Sequence, residues 1–295
     1  MSSTFHASCL CGEIRWEVDG PLVAPAGELL ATLFMPHCHC SRCRKAHGAP
    51  YATFVTVPEG RFRITHGRER TVRPETPGAF RAFCGGCGSV VPDGVPWNGF
   101  VGVPAGNFDE DIGVAPTCRL FVGSRAPWDE ITDGVPRFDT FPEGIEATPM
   151  ETRPARAADT DGTRGSCLCG AVTYVIEAPP IRARTCHCSR CRKASSTGHM
   201  SWLATTFEGL RFTCGEALVV TYKVPEARFF SHAFCRACGS SMPRKDAGRG
   251  LSLVPMGSLD DDPGIRPSCH IYVGSRASWD PITDGLPQYE ESAPA

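Results

Sequence analysis

One nine-residue run occurs twice in the chain without change, as Cys38-His39-Cys40-Ser41-Arg42-Cys43-Arg44-Lys45-Ala46 and as Cys186-His187-Cys188-Ser189-Arg190-Cys191-Arg192-Lys193-Ala194. In extended backbone alternate side chains share a face, so Cys38 and Cys40 point together and His39 points away. A turn then returns Cys43 towards them. Three thiols this close make an incomplete tetrahedral zinc site, whose fourth position comes from elsewhere in the chain or stays open.

The rest of the chain repeats in the same order. Cys9-Leu10-Cys11-Gly12 returns as Cys167-Leu168-Cys169-Gly170, and Phe83-Cys84-Gly85-Gly86-Cys87-Gly88-Ser89 as Phe234-Cys235-Arg236-Ala237-Cys238-Gly239-Ser240. Near the end of each half, Cys118 to Asp129 matches Cys269 to Asp280 through Ser-Arg-Ala-x-Trp-Asp, and Ile-Thr-Asp-Gly follows at 131–134 and 282–285. The offset between matched residues is 158 from Cys9 to Cys167, 148 from Cys38 to Cys186 and 151 from Cys84 to Cys235. The first copy therefore carries an excess near Pro21 to Phe34 and the second a smaller one before Cys235, both between cysteine groups, where loops absorb changes of length. Residues 142–165, rich in Pro, Ala, Thr and charge, read as a linker between a first domain at 1–141 and a second at 166–295.

Short strands dominate each copy. Polar and apolar residues alternate over Glu13 to Val18, Thr53 to Val57, Arg61 to Ile64, Val219 to Tyr222 and in part over Ala171 to Ile176, with Gly and Pro punctuating them. No long segment carries a helical stripe. The expected fold is mainly β, built of short antiparallel strands, with one turn of helix after the Cys-Arg-Lys.

Thirty basic residues against 32 acidic ones leave a net charge of −2, so no basic field draws the chain to nucleic acid or to an anionic membrane. The N-terminal residues lack a charged region followed by an apolar stretch, and no run of about 18 apolar residues occurs anywhere. A cytoplasmic protein is expected. There, 17 cysteines in C-x-C and C-x-x-C groups favour zinc thiolate over disulfides, which would close strained rings between such near neighbours.

Seven cysteines per copy fall into groups of two, three and two, which divide naturally as four plus three. The C-x-C and the distant C-x-x-C close a four-sulfur tetrahedron that staples the fold, and the nine-residue run supplies a separate, reactive three-sulfur site. Two zinc ions per domain make about four per chain.

The order C-x-C-G, C-H-C-S-x-C-R-K, F-C-x-x-C-G-S and S-R-A-x-W resembles the glutathione-dependent formaldehyde-activating enzyme family, which includes centromere protein V. The resemblance covers both copies. It implies a zinc-bound, Mss4-like (β-tent) fold. It also implies Cys9, Cys11, Cys84 and Cys87 as structural ligands with Cys167, Cys169, Cys235 and Cys238 as their counterparts, and Cys38, Cys40, Cys43, Cys186, Cys188 and Cys191 as catalytic ones. The implied activity is addition of a small thiol, glutathione, to a small aldehyde, formaldehyde, or the reverse carbon–sulfur lyase step. The chemistry agrees: zinc already carrying three thiolates is a weak activator of water, and suits an incoming thiol. A non-enzymatic zinc scaffold and a thiol-redox or zinc-release switch are the competing readings.

Other residues weigh less. His39 and His187 are expected to orient or pack rather than act as bases, since alternation turns them from the metal. Arg44-Lys45 and Arg192-Lys193 are equally suited to hold a substrate carboxylate or to lie in solvent. Asp129, Asp280, Asp133 and Asp284 stand in turn contexts, and Trp128 and Trp279 read as packing residues. Cys118 and Cys269 read as small buried hydrophobes, although either one swinging into the three-sulfur site would close it. Cys214 reads as an ordinary thiol. Arg119 where the second copy has His270, and Tyr51 where it has His199, mean the copies need not be equivalent. Two copies in one chain can also pack as an internal pseudo-dimer.

Overall fold

The computed structural model describes residues 4–74, 81–145 and 161–294. Each repeat opens on a three-stranded antiparallel sheet, formed by Thr4–Ser8, Arg15–Asp19 and Phe62–His66 in the first and by Thr163–Ser166, Thr173–Ile176 and Leu210–Cys214 in the second. Alternation does what it should: Trp16 and Val18 are buried while Arg15 between the turn and the strand is exposed. The second repeat thus begins at Thr163, inside the stretch read as linker, because 163–166 pair residue for residue with 173–176. Residues 146–160 of that stretch lie outside the described residues.

The larger sheet carries the nine-residue run. In the first repeat its strand order is Arg137–Phe138, Cys118–Leu120, Pro36–Cys38, Ala52–Pro58, Phe100–Pro104. The second repeats this core as Gln288–Tyr289, His270–Ile271, Arg182–Cys186, Met200–Thr206, Leu251–Pro255, and adds Arg244–Asp246 at the edge. Most pairings are antiparallel, but 36–38 with 118–120 and 119–120 with 137–138, and likewise 185–186 with 270–271 and 270–271 with 288–289, are parallel. Strands this far apart in sequence are joined by a long crossover rather than a hairpin, so nothing forces them antiparallel.

Helix is short. Glu28–Thr32 (α1) occupies the excess of the first copy, and Ser41–His47 (α2) and Ser189–Ser195 (α3) follow the matched runs. The turn expected after Cys-Arg-Lys instead starts before it. Cys40 and Cys188 serve as N-caps, their sulfurs accepting from the N–H of Cys43 and Cys191 at 3.4 Å, which starts the helix two residues before the last cysteine.

The halves are interleaved. Ala277 and Trp279 of the second repeat belong to the hydrophobic core of the first, while Ala46, Ala126 and Trp128 of the first belong to the core of the second. The Ser-Arg-Ala-x-Trp motif is therefore a reciprocal plug, where the sequence suggested only packing. Backbones also approach closely: a Cβ on Gly106 would lie 2.3 Å from the Thr197 N, and one on Gly257 would lie 2.4 Å from the Ala49 N. Lys45 reaches the Ser166 carbonyl at 2.9 Å and Asp260, and Lys193 reaches the Ser8 hydroxyl at 2.6 Å and Asp109. Both lysines are thus cross-repeat tethers, not solvated side chains beside the cysteines.

Because Trp128 fills the partner repeat's core, Trp128→Ala should cost about 3–5 kcal/mol in urea denaturation, the usual loss for a buried tryptophan. Amide exchange should then rise first along Met200–Thr206, in the other half of the molecule. Gly106→Ala and Gly257→Ala should each cost about 1–3 kcal/mol through overpacking. Gly60→Ala, with nothing within 4 Å of the added carbon, should stay within about 0.5 kcal/mol of wild type.

Candidate metal centres

In each repeat a tight turn follows the first strand and presents two sulfurs. Cys9 N–H donates to the Ile14 carbonyl at 3.1 Å, Gly12 N–H to the Cys9 carbonyl at 3.0 Å, and Ile14 N–H to the Cys9 sulfur at 3.3 Å. The C-x-x-C turn is closed by Gly88 N–H to the Cys84 carbonyl at 2.8 Å, with Gly88 at φ 77°, a conformation glycine adopts without strain. Ser89 joins the two turns by accepting from Leu10 N–H at 3.0 Å. The second repeat copies this with Leu168 N–H and Ser240 at 2.9 Å. The result is two four-sulfur groups, Cys9/Cys11/Cys84/Cys87 and Cys167/Cys169/Cys235/Cys238, each with all sulfurs within 4.8 Å of one another.

Two further groups, Cys38/Cys40/Cys43 and Cys186/Cys188/Cys191, meet the same limit. A sulfur tetrahedron around zinc, with Zn–S of about 2.3 Å, has edges of about 3.8 Å. The observed separations of 3.4 Å for Cys9–Cys11, 3.6 Å for Cys11–Cys84 and 3.2 Å for Cys40–Cys43 are close to that, and far from a disulfide bond. The donor sets thus fit a thiophilic ion such as zinc. Among the described residues no fourth Cys, His, Asp or Glu joins either three-sulfur group.

Strand register explains why Cys118 stays out. It pairs with Pro36, and it is Leu120 that lies across from Cys38, so Cys118 sits two residues along the strand and packs with Leu33 and Leu120. Burial pushes its thiol up to about 12, which keeps it protonated. Cys269 is likewise buried outside the groups, and Cys214 is exposed.

The first three-sulfur group has a neighbour that sequence reasoning missed. Arg81 Nη2 lies 2.7 Å from the Cys43 sulfur. Burial would depress this guanidinium, but the three surrounding sulfurs hold it charged, above its ordinary value, while burial pushes the Cys43 thiol up to about 12. Its counterpart by the local offset is His232, which turns away to the Cys87 carbonyl at 2.7 Å and Ser241 at 2.9 Å. The mismatch at this position was the available signal.

On the opposite face of the same strands lies a polar seam. Alternation puts His37, His39 and Arg119 together on the side away from Cys38 and Cys40. Arg119 is clamped by Asp133, with Nε to Oδ1 at 3.0 Å, and donates from Nη1 to His39 Nε2 at 2.9 Å. His39 therefore carries its proton on Nδ1, which faces Asp129 Oδ2 at 3.3 Å. Tyr51 packs its ring, tilted, against both His37 and His39 and crosses to the second repeat, where its hydroxyl donates to Asp280 Oδ1 at 3.1 Å. Asp280, read from sequence as a turn residue, is 3% exposed and also binds His199 Nδ1 at 2.7 Å. His39 and His187 are thus buried, oriented residues of the seam.

The model of the family described as "Glutathione-dependent formaldehyde-activating enzyme" matches residues 4–124 and 162–275. No curated protein matches the chain. Among solved structures, a Rhodobacter sphaeroides protein from a structural genomics programme is 21% identical over 43% of this chain and 98% of its own, with a TM-score of 0.27. Two matched segments cover most of the chain and each contains one four-sulfur and one three-sulfur group, so the chain belongs to the glutathione-dependent formaldehyde-activating enzyme family, as a tandem pair.

Proposed function

We propose that the chain is a zinc enzyme that adds the thiol of glutathione to formaldehyde, or runs the reverse carbon–sulfur lyase step, at one three-cysteine centre per repeat. The observation that carries this is the contrast inside each repeat between a group of four sulfurs and a group of three that, among the described residues, no further ligating side chain completes. On this reading the four-sulfur groups are structural, giving about four zinc ions per chain, and the interleaved repeats form an internal pseudo-dimer acting in the cytoplasm. The domain division is 1–141 and 166–295, the second extended back to the strand at Thr163.

The chemistry that zinc would supply there is acidification of a thiol entering the remaining position, so that it reacts as thiolate at neutral pH. Cys38, Cys40 and Cys43, with Cys186, Cys188 and Cys191, would hold the ion. The reaction forms one carbon–sulfur bond as the carbonyl π pair takes up a proton, giving a hydroxymethyl thioether. His39 is not the base, since its ring is fixed between Arg119 and Asp129 on the far face. Arg81 supports the first centre by donating to the Cys43 sulfur, which offsets the negative charge of three thiolates.

In cobalt-substituted protein, added glutathione should shift the absorption of the three-sulfur centres. Cys38→Ser and Cys186→Ser should each remove one metal equivalent and half or more of the turnover while the fold survives. Cys9→Ser and Cys167→Ser should unfold their repeats, since structural zinc contributes on the order of 10 kcal/mol. A cobalt spectrum indifferent to glutathione would overturn the enzyme reading and favour a scaffold. In a Cys186→Ser background, Arg81→Gln should weaken metal retention at the first centre about 10–100-fold in chelator competition, the usual cost of losing such a supporting hydrogen bond.

A further inference from the structure

The two faces of the seam differ by a tautomer. In the first repeat the arginine donates to the matched histidine, and His39 presents an N–H to its carboxylate. In the second, the arginine is replaced by His270, whose Nε2 lies 3.0 Å and 3.1 Å from the two oxygens of Asp284. A carboxylate only accepts, so His270 Nε2 carries the hydrogen and, in the neutral ring, Nδ1 carries a lone pair. That lone pair accepts from His187 Nε2 at 2.8 Å. His187 therefore has its hydrogen on Nε2 and a lone pair on Nδ1.

This lone pair points at an anion. His187 Nδ1 is fully buried, makes no hydrogen bond, and faces Asp280 Oδ2 at 3.9 Å. His199 Nδ1 approaches the same oxygen at 2.7 Å, and its side chain is only 14% exposed. One ligand atom from each of His187, His199 and Asp280 lies within 4.8 Å of the other two. A hydrogen on His199 Nδ1 satisfies the shorter contact, but it leaves the His187 lone pair buried against the carboxylate with no donor, a repulsion that an ion held by all three groups relieves.

We propose that His187, His199 and Asp280 form a third kind of metal site in this chain, for one divalent transition ion of the zinc class, in the seam between the repeats. Two imidazole nitrogens and a carboxylate oxygen are a zinc-type donor set, distinct from the thiolate centres. The surroundings are those of a ligand set: His187 passes its other N–H to His270 and thence to Asp284, a histidine–carboxylate support that fixes the tautomer. Tyr51 of the first repeat donates to the outer oxygen of Asp280 at 3.1 Å. The first repeat cannot make the same site, because Tyr51 stands where His199 would and Arg119 forces the opposite tautomer on His39. An ion here would brace the segment that carries Cys186 and Cys188 against residues 277–280 of the same repeat, whose Ala277 and Trp279 pack into the first repeat's core.

The test compares full-length wild type with His199→Tyr, which installs the residue the first repeat already uses. Elemental analysis after zinc loading should fall by one equivalent per chain in the variant. In cobalt-loaded protein the sulfur-to-cobalt charge-transfer bands should be unchanged while weaker visible absorption is lost. Equal metal content in wild type and a folded His199→Tyr would overturn the proposal, whether or not the thiolate centres turn over. Should the variant not fold, cadmium-113 spectra of wild type decide: a resonance in the nitrogen–oxygen region, apart from the thiolate resonances, is expected. Its absence under saturating cadmium would mean that a proton, not a metal, occupies the gap.

Discussion

Everything in the larger sheet follows from the two-faced strand that ends in Cys-His-Cys. Sulfurs leave one side and imidazoles the other, so a three-sulfur group and a buried polar seam are built back to back on the same few residues. Neither face can be shifted alone. Moving the register by one residue would put the histidines among sulfurs and the cysteines in the seam. The neighbouring parallel strand adds Arg119 or His270 to the seam side and Leu120 or Ile271 to the sulfur side by the same alternation.

Interleaving gives the seam its rigidity. Each repeat lends the other a tryptophan and an alanine from the Ser-Arg-Ala-x-Trp motif, and each lends a lysine from the helix that carries its third cysteine. The helix holding Cys43 is thus tied through Lys45 to the end of the second repeat's first strand, at Ser166, and that holding Cys191 through Lys193 to the end of the first repeat's, at Ser8. Geometry at each three-sulfur group is set partly by the other half of the chain. A tandem arrangement makes both halves available at fixed stoichiometry and without the concentration dependence of a dimer.

The repeats share sulfurs but differ around them. Arg81 supports only the first three-sulfur group, since the matched position in the second is His232, directed at the other repeat. On the seam side, the exchange of Arg119 for His270 reverses which nitrogen of the matched histidine bears hydrogen. These are changes of charge and hydrogen-bond direction at buried positions, where such changes weigh most. They mark the two halves as chemically distinct while the backbone stays the same.

Local rules were enough to read the alternating strands, the tandem repeat and the grouping of fourteen cysteines into fours and threes, because alternation and turn spacing act over a few residues. The same rules turned His39 and His187 away from the sulfurs, whereas Cys118 and Cys269, read as small buried hydrophobes able to swing in, are kept out by strand pairing and packing. What local rules could not supply was anything carried by contacts across the repeat boundary. Asp280 read as a turn residue, Lys45 and Lys193 as solvated or substrate-binding charges, and Trp128 and Trp279 as core or edge packing with no sign of which half they fill. Arg81 had no motif to announce it. Arg81 meets Cys43 inside its own repeat, 38 positions away; the other roles depend on which residues lie opposite after the halves interleave, and only the tertiary structure decides that, since partners 81 to 229 positions apart leave no periodic trace in the sequence.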